Sequence, residues 1–141
     1  MSLLSPVRFL CRMLPAVATV ALLGACAGTF KSTPEELVRE RAAKRWQALI
    51  AGDFQKAYEY LTPGSRAVTP YAQYRARIGG AVAFKSAEPV SVVCETSEKC
   101  VVKVKVRYEA VLLRPRLGTI ERYLDETWLQ DAGQWWFLYS P

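Results

Sequence analysis

The chain has 141 residues, of which 51% are hydrophobic and 23% are charged. These fractions are typical of one packed domain of ordinary size, and they exclude a disordered polar chain. The net charge is +6, too weak by itself to indicate binding of nucleic acid. Histidine, the commonest general base and metal ligand, is absent from the sequence. We therefore expect no nucleic acid as a partner, no metal and no cofactor.

The first 25 residues have the pattern of an export signal. Two arginines precede an uncharged run over residues 13–25, which is shorter than the roughly 20 residues of a membrane-spanning helix. The run ends in Leu-Gly-Ala-Cys at residues 23–26, which resembles the lipobox of bacterial lipoproteins. The resemblance implies a signal peptide over residues 1–25, cleavage before Cys26 and a diacylglycerol attached to the sulfur of that cysteine.

Ala27, the residue after the cysteine, bears on the cellular localisation. Because Ala27 and not Asp stands there, the resemblance implies a lipoprotein at the periplasmic face of the outer membrane of a bacterial envelope. Residues 26–32 are then the lipidated cysteine and a tether of about 20 Å at most, which keeps the domain over residues 33–141 close to the membrane. The alternative is cleavage after Ala27, because Ala25-Cys26-Ala27 also fits the A-x-A pattern of an ordinary signal peptidase and would release a soluble protein.

The remaining cysteines support export to an oxidising compartment. Cys94 and Cys100 form an even pair that flanks five polar residues between two valine-rich runs. Folded as a hairpin, the pair would face each other across the strands, so we predict a disulfide that contributes about 2 kcal/mol. Two free thiols are the alternative, and a redox-active site is disfavoured because the spacing is not C-x-x-C.

The first predicted helix follows the tether. Thr33 can cap it, Pro34 suits its first turn, Glu36 completes a capping box, and Gly52 ends it. One helical face is apolar, and the basic residues lie largely outside that face. The apolar residues are Val38, Ala42, Trp46, Leu49 and Ile50, and the basic ones are Arg39, Arg41, Lys44 and Arg45.

Two shorter helices are predicted next. Asp53 can cap the second helix, and the Thr-Pro-Gly sequence at residues 62–64 ends it. The third helix is predicted to begin at residues 69–70 and to end at the two glycines of residues 79–80. The residues expected to face inward are Phe54, Ala57, Tyr58 and Leu61 on the second helix, and Tyr71, Tyr74 and Ile78 on the third.

The second half of the chain alternates apolar and polar residues, which predicts strands. We expect them over residues 89–95, 102–112, 119–130 and 134–139, with a tight turn between the last two. Helices followed by an antiparallel meander predict an α+β fold, with the N-terminal helices packed on a curved four-stranded sheet.

One face of the long second strand is basic. Lys103, Lys105 and Arg107 alternate along it, and Glu121 and Asp125 share one face of the next strand. We expect these acidic residues to neutralise the basic row across the strands, so that the face is solvated and is not a binding site.

Residues 45–66, with the sequence RWQALIAGDFQKAYEYLTPGSR, resemble the opening of nuclear transport factor 2-like domains, also called cystatin-like α+β rolls. The resemblance implies a conical sheet wrapped around a long helix, with a pocket at the wide end. No catalytic motif of that superfamily can be matched to this chain. The features that carry the resemblance are Trp46, Gly52, Asp53, Ala57, Tyr58, Leu61 and Pro63.

The pocket implied by the resemblance has five candidate residues. Arg122 and Glu126 lie on the face of the third strand that also carries Trp128, an unusual place for two charges if that face is buried. They are expected either to form a charged pair in the pocket, with Tyr58 and Tyr74 nearby, or to pair across strands on a partly solvated face. We favour the solvated pair, because buried charges without partners cost several kcal/mol.

The last strand carries large apolar side chains on both faces, at residues 135–139. A sheet covered by helices on one side needs cover for the other, which a homodimer or an envelope protein partner would supply. The alternative is that strand curvature and the 114–118 connection hide these rings.

We favour a non-catalytic envelope lipoprotein that binds a ligand or a protein. The alternative is a small hydrolase, isomerase or dehydratase that uses the same pocket.

Overall fold

A computed structural model describes residues 32–80, 82–111 and 118–140. In these ranges the chain forms four helices followed by a four-stranded antiparallel sheet, so the predicted α+β class and meander are confirmed. The predictions on the signal, the lipobox and Cys26, and most of the 114–118 connection, lie outside the described residues. Within the described ranges, no helix has the length and apolar character needed to cross a membrane.

Helix α1 (Pro34–Ile50) begins with the predicted capping box. The Thr33 hydroxyl accepts from the Glu36 backbone N–H at 3.2 Å, and the Glu36 carboxylate accepts from the Thr33 N–H at 2.9 Å. Gly52, with φ +76°, turns the chain after the helix into a conformation that side chains other than glycine rarely adopt.

Three short helices follow: α2 (Phe54–Tyr58), α3 (Pro63–Val68) and α4 (Tyr71–Gly79). Helix α3 was not predicted, because Thr62-Pro63-Gly64 reads as a break. The same residues also start a helix: the Thr62 hydroxyl accepts from the Ser65 N–H at 3.0 Å, and Pro63 occupies the first turn. Leu61, expected on the second helix, lies beyond its end and pairs with Phe137 in a parallel bridge.

The strands are β1 (Val82–Thr96), β2 (Lys99–Ala110), β3 (Thr119–Asp131) and β4 (Gln134–Phe137), in the spatial order β1-β2-β3-β4. Strand β1 begins at Val82 and not at residue 89. Three register shifts along its pairing with β2 interrupt the alternation of inward and outward residues, so its period is hidden in the sequence.

The two cysteines predicted to pair are cross-strand neighbours in the β1–β2 hairpin. The sulfur atoms of Cys94 and Cys100 lie 1.99 Å apart, at disulfide distance. The bond closes the end of the hairpin that is nearest to its turn.

The outer face of the sheet carries ion pairs across strands. Lys103 Nζ lies 2.8 Å from Asp125 Oδ1, and Lys105 Nζ lies 3.2 Å from Glu121 Oε2, so the predicted neutralisation is confirmed for the two lysines of the basic row. Both pairs are largely solvated, and each is expected to add little to stability.

The inner face of the sheet forms the core with α1. The fully buried valines of β2, Val102, Val104 and Val106, belong to one apolar cluster with Val38 and Ala42 of the helix. The other edge of β4 is also bonded: the Phe137 N–H donates to the Tyr60 carbonyl at 2.8 Å, and the Thr62 N–H donates to the Phe137 carbonyl at 2.9 Å. Strand β4 is therefore held on both sides.

Candidate functional site

A buried acid lies at the centre of the domain, where α1 crosses β3. Glu126 is 4% exposed, and its carboxylate accepts three hydrogen bonds. Oxygen Oε1 accepts from Arg45 Nη1 at 2.6 Å and from Trp46 Nε1 at 2.8 Å. Oxygen Oε2 accepts from Trp128 Nε1 at 3.1 Å. Both oxygens are occupied by donors, so the carboxylate is fixed in place and its charge is balanced.

Arg45 is 3% exposed, which contradicts the expectation that it lies outside the apolar face of α1. Its counter-charge comes from a strand 81 positions later in the sequence, so helical periodicity alone could not place it. The guanidinium carbon also lies 4.0 Å from the centroid of the Phe137 ring, which is a cation–π contact. We call Arg45, Glu126, Trp46 and Trp128 the buried cluster.

The structure places the five candidate pocket residues in three separate surroundings. Glu126 and Trp128 are members of the buried cluster. Tyr74 is fully buried, and its ring lies 5.3 Å from that of Tyr58, whose hydroxyl donates to the Thr69 carbonyl at 2.9 Å. Arg122, by contrast, is exposed, and it takes part in none of the ion pairs of the described residues.

Neither interpretation of the Arg122 and Glu126 charges therefore describes what the structure shows. Glu126 is buried, as the pocket interpretation required, but its cationic partner is Arg45 on the helix. Arg122 lies opposite Val106 on the same strand face as Glu126, near the start of β3, and it is exposed there. The two charges are four residues apart on one strand, and only one of them is covered by the helices.

The Tyr74 hydroxyl is buried and has no hydrogen-bond partner among the described residues, and the same holds for the Nε atom of Arg45. Burial raises the pKa of the Tyr74 hydroxyl, and the positive charge of Arg45 partly opposes that rise. This hydroxyl is therefore protonated at neutral pH and stays a neutral group beside the buried cluster.

A polar cleft of about 340 Å³ opens at the surface beside β4. Its walls come from α1, α2, α3 and β4, and most of its charged residues are cations. We call it the basic cleft. It is lined by Arg41, Lys56, Glu59, Tyr60, Arg66, Gln134 and Trp136.

Aromatic rings hold the two arginines of the basic cleft. The guanidinium carbon of Arg41 lies 5.0 Å from the ring centroid of Tyr60 and 5.6 Å from that of Trp136. The guanidinium carbon of Arg66 lies 5.4 Å from the same Trp136 centroid. With its amide oxygen oriented toward Arg41, Gln134 accepts from Nη2 at 3.0 Å and from Nη1 at 3.2 Å.

The charge of the basic cleft is not balanced. Lys56 pairs with Glu59 at 2.8 Å, whereas Arg41 and Arg66 take part in none of the ion pairs of the described residues. Burial lowers the pKa of the half-buried Arg41, because the charged form loses part of its hydration there, and the Tyr60 hydroxyl opposes this. The guanidinium nevertheless stays charged at neutral pH.

The basic cleft was not predicted from the sequence. Its residues come from four separate elements, and none of them forms a motif with its neighbours in the chain. The aromatic run of the last strand was the only signal. Trp135 is 2% exposed, the Phe137 ring lies 5.9 Å from the Trp128 ring, and Trp136 lines the cleft. A dimer or protein partner on the sheet stays a prediction.

Another cleft, of about 410 Å³, lies between α2 and α4 and is mostly apolar. Its lining includes Phe54, Tyr71, Ala76 and Gly79, with Arg75 as its one cation. It holds no pair of convergent polar side chains, so it offers little specificity for a polar ligand.

Comparison with known proteins identifies a fold and no family. No protein-family model matches the chain, and no curated protein matches its sequence. Among solved structures, the fold is similar to that of a SEC-C motif containing protein from Rhodopseudomonas palustris, determined in solution. The TM-score is 0.56 and the identity 20%, over 76% of each chain. At that identity the similarity concerns the architecture alone.

Proposed function

We propose that this chain is a lipid-anchored protein of the bacterial cell envelope, and that its domain over residues 33–141 is a non-catalytic binding module. The observation that carries the proposal is that the Glu126 carboxylate already accepts hydrogen bonds from three side chains. The one buried acid of the described residues is 4% exposed and has a donor on each oxygen, so it is paired inside the core and is not presented to a substrate. A general acid or base must come within hydrogen-bond reach of the substrate proton.

The alternative, a small hydrolase, isomerase or dehydratase, needs such a group in the interior. The Tyr74 hydroxyl is free of hydrogen bonds but is enclosed by the core, and its raised pKa makes it a poor base at neutral pH. The basic cleft, in contrast, lies at the surface and is lined by two guanidinium groups. The arrangement favours binding over chemistry.

The nuclear transport factor 2-like identity of the domain is part of the proposal. It is supported by two features of the stretch over residues 45–66, the inward tryptophan and the capping aspartate. The Trp46 indole is directed inward to Glu126, and the Asp53 carboxylate caps α2 by accepting from the Lys56 N–H at 2.9 Å. The space at the centre of such a roll is filled here by the buried cluster.

The anchor is supported by the lipobox-like sequence at residues 23–26 and by the position of α1. The helix begins at Pro34, so residues 27–32 provide a tether of about 20 Å at most when extended. We place the protein on the periplasmic face of the outer membrane, because Ala27 follows the cysteine.

Metabolic labelling with an alkyne fatty acid tests the anchor in a Gram-negative host that expresses the full chain. We expect label on the protein and recovery in the membrane fraction, both lost in Cys26→Ser. Cys11→Ser is the matched control, because it changes a cysteine inside the signal and should alter neither result. Recovery of the wild-type chain as an unlabelled periplasmic protein would show that cleavage follows Ala27 instead.

Native mass spectrometry of the full chain, extracted from those membranes, tests the binding function. We expect a mass above that of the lipidated chain, from a retained small molecule, a second copy or an envelope protein. The binding function fails if the protein carries nothing and also turns over a substrate in an activity screen, because the interior would then have to hold a reactive group.

A further inference from the structure

We propose that the basic cleft binds a phosphate group, carried either by a phospholipid headgroup or by a soluble phosphorylated compound. The inference rests on the proposed binding function and names the ligand chemistry of that site. It does not depend on the lipid anchor, because the residues that form the cleft all lie in the folded domain.

The first argument is charge. Two guanidinium groups and one ammonium group line the cleft, and the single carboxylate there, Glu59, is paired with Lys56. Arg41 and Arg66 have no carboxylate partner among the described residues, although both are half-buried. Partly desolvated cations attract an anion more strongly than fully hydrated ones, because the effective dielectric constant around them is lower.

The second argument is the geometry of the donors. A guanidinium presents a planar set of N–H groups that binds phosphate oxygens in pairs, and its charge is permanent. Both guanidinium carbons lie within 5.6 Å of the Trp136 ring centroid, and all three residues line the same cleft. The two oxygens of a carboxylate lie in one plane, whereas the free oxygens of a phosphate, two in a diester and three in a monoester, are arranged tetrahedrally and can accept from guanidinium groups that approach from different directions. The cleft therefore suits phosphate better.

The third argument is preorganisation. Trp136 belongs to β4, which is bonded to β3 on one side and to residues 60–62 on the other, and its Nε1 donates to the Asp131 carbonyl at 3.4 Å. A ring held in this way fixes the arginines that stack on it. Long side chains fixed before binding lose less conformational entropy when the ligand arrives. The volume of about 340 Å³ is sufficient for a phosphate with part of its substituent.

The simplest competing interpretation is that the arginines only cover Trp136 and stabilise the surface. Binding distinguishes the two, because packing requires no anion. The full chain is purified in dodecyl maltoside and titrated with inorganic phosphate and, separately, with glycerophosphoglycerol, at constant ionic strength set by sodium chloride. Phosphorus-31 line broadening reports binding to each probe directly.

We expect saturable binding of at least one probe, and at least a tenfold weaker affinity in Arg41→Gln and in Arg66→Gln. The matched control is Arg77→Gln, which removes the same charge from an exposed position on α4 and should change the affinity less than twofold. Two cleft variants are used so that the test survives if one of them fails to fold, which circular dichroism shows.

Tighter binding of glycerophosphoglycerol identifies a lipid headgroup as the source of the phosphate, and tighter binding of inorganic phosphate identifies a soluble phosphorylated compound. Both results support the inference. The absence of saturable binding to either probe overturns it, and so does an equal loss of affinity in Arg77→Gln, which indicates general attraction of anions. A ligand or partner in the native mass spectrum would in that case leave the binding function standing.

Discussion

Removal of the buried negative charge at Glu126 is the sharpest test of how this domain is held together. The substitution Glu126→Gln keeps the volume of the side chain but leaves the Arg45 guanidinium, 3% exposed, without a counter-charge. It also replaces one carboxylate oxygen by an amide N–H₂ group, so that at least one of the three present donors would face another donor. Breaking a buried pair from one side costs about 3–5 kcal/mol, a large part of the 5–15 kcal/mol by which ordinary domains are stable.

The neighbouring residue offers a matched control on the same strand. Asp125→Asn makes the same chemical change to an acid whose pair with Lys103 is solvated, with side chains 61% and 47% exposed. Such pairs contribute about 0–1 kcal/mol. We therefore expect the two substitutions, one residue apart, to differ by at least about 2 kcal/mol in the free energy of unfolding.

Urea denaturation followed by circular dichroism measures both losses, with the slope of the transition as a check that unfolding stays two-state. Sodium chloride at about 1 M should abolish the small effect of Asp125→Asn, because the screening length falls to about 3 Å, and should leave that of Glu126→Gln. A loss below about 1 kcal/mol for Glu126→Gln would refute the reasoning, since the guanidinium would then be reached by water.

Three further predictions concern single features of the fold, each measured as a free energy of unfolding in urea. Burial raises the pKa of Tyr74, so folding favours the protonated hydroxyl. The contribution of this preference to stability is complete below pH 10 and is lost as the pH rises through the raised pKa. Tyr74→Phe should therefore flatten the alkaline loss of stability. Equal alkaline slopes in the two proteins would contradict this. Ala132 has φ +49° in the hairpin turn before Gly133, so Ala132→Asn should stabilise the domain by about 0.5–1 kcal/mol, and a decrease would argue against the left-handed turn. Reduction of the Cys94–Cys100 pair should cost about 2 kcal/mol, and Cys94→Ser should make the protein insensitive to the reductant.

Local signals in the sequence predicted most of the secondary structure. Thr33, Glu36 and Asp53 act through neighbours three residues away, so their capping roles can be read from spacing. Strand β1 was predicted too short because its bulges interrupt the alternation on which the prediction rests. The Thr-Pro-Gly sequence at residues 62–64 was ambiguous, since the residues that end one helix also suit the first turn of the next.

The site was harder to predict than the fold, because its contacts join residues that are far apart in the chain. Glu126 was singled out as a charge on an apolar strand face, but its partner Arg45 lies 81 positions away and was assigned to the solvated side of α1. A residue at the edge of the apolar face of a helix can be buried or exposed, depending on how the sheet packs against that helix. The basic cleft assembles four elements and had no local signature.

Arg41 and Arg45 together connect the stability of the domain with its proposed function. They lie four positions apart on α1, and therefore on the same side of the helix. Arg45 stacks on Phe137 and meets the carboxylate of Glu126, whereas Arg41 stacks on Trp136 and meets only the neutral amide of Gln134. One helix and one strand thus hold two guanidinium groups in similar settings, and within the described part of the chain only the inner one is paired with an anion. A counter-charge stabilises a half-buried cation more than a fully hydrated one. An anionic ligand in the basic cleft can supply the counter-charge that Arg41 lacks among the described residues.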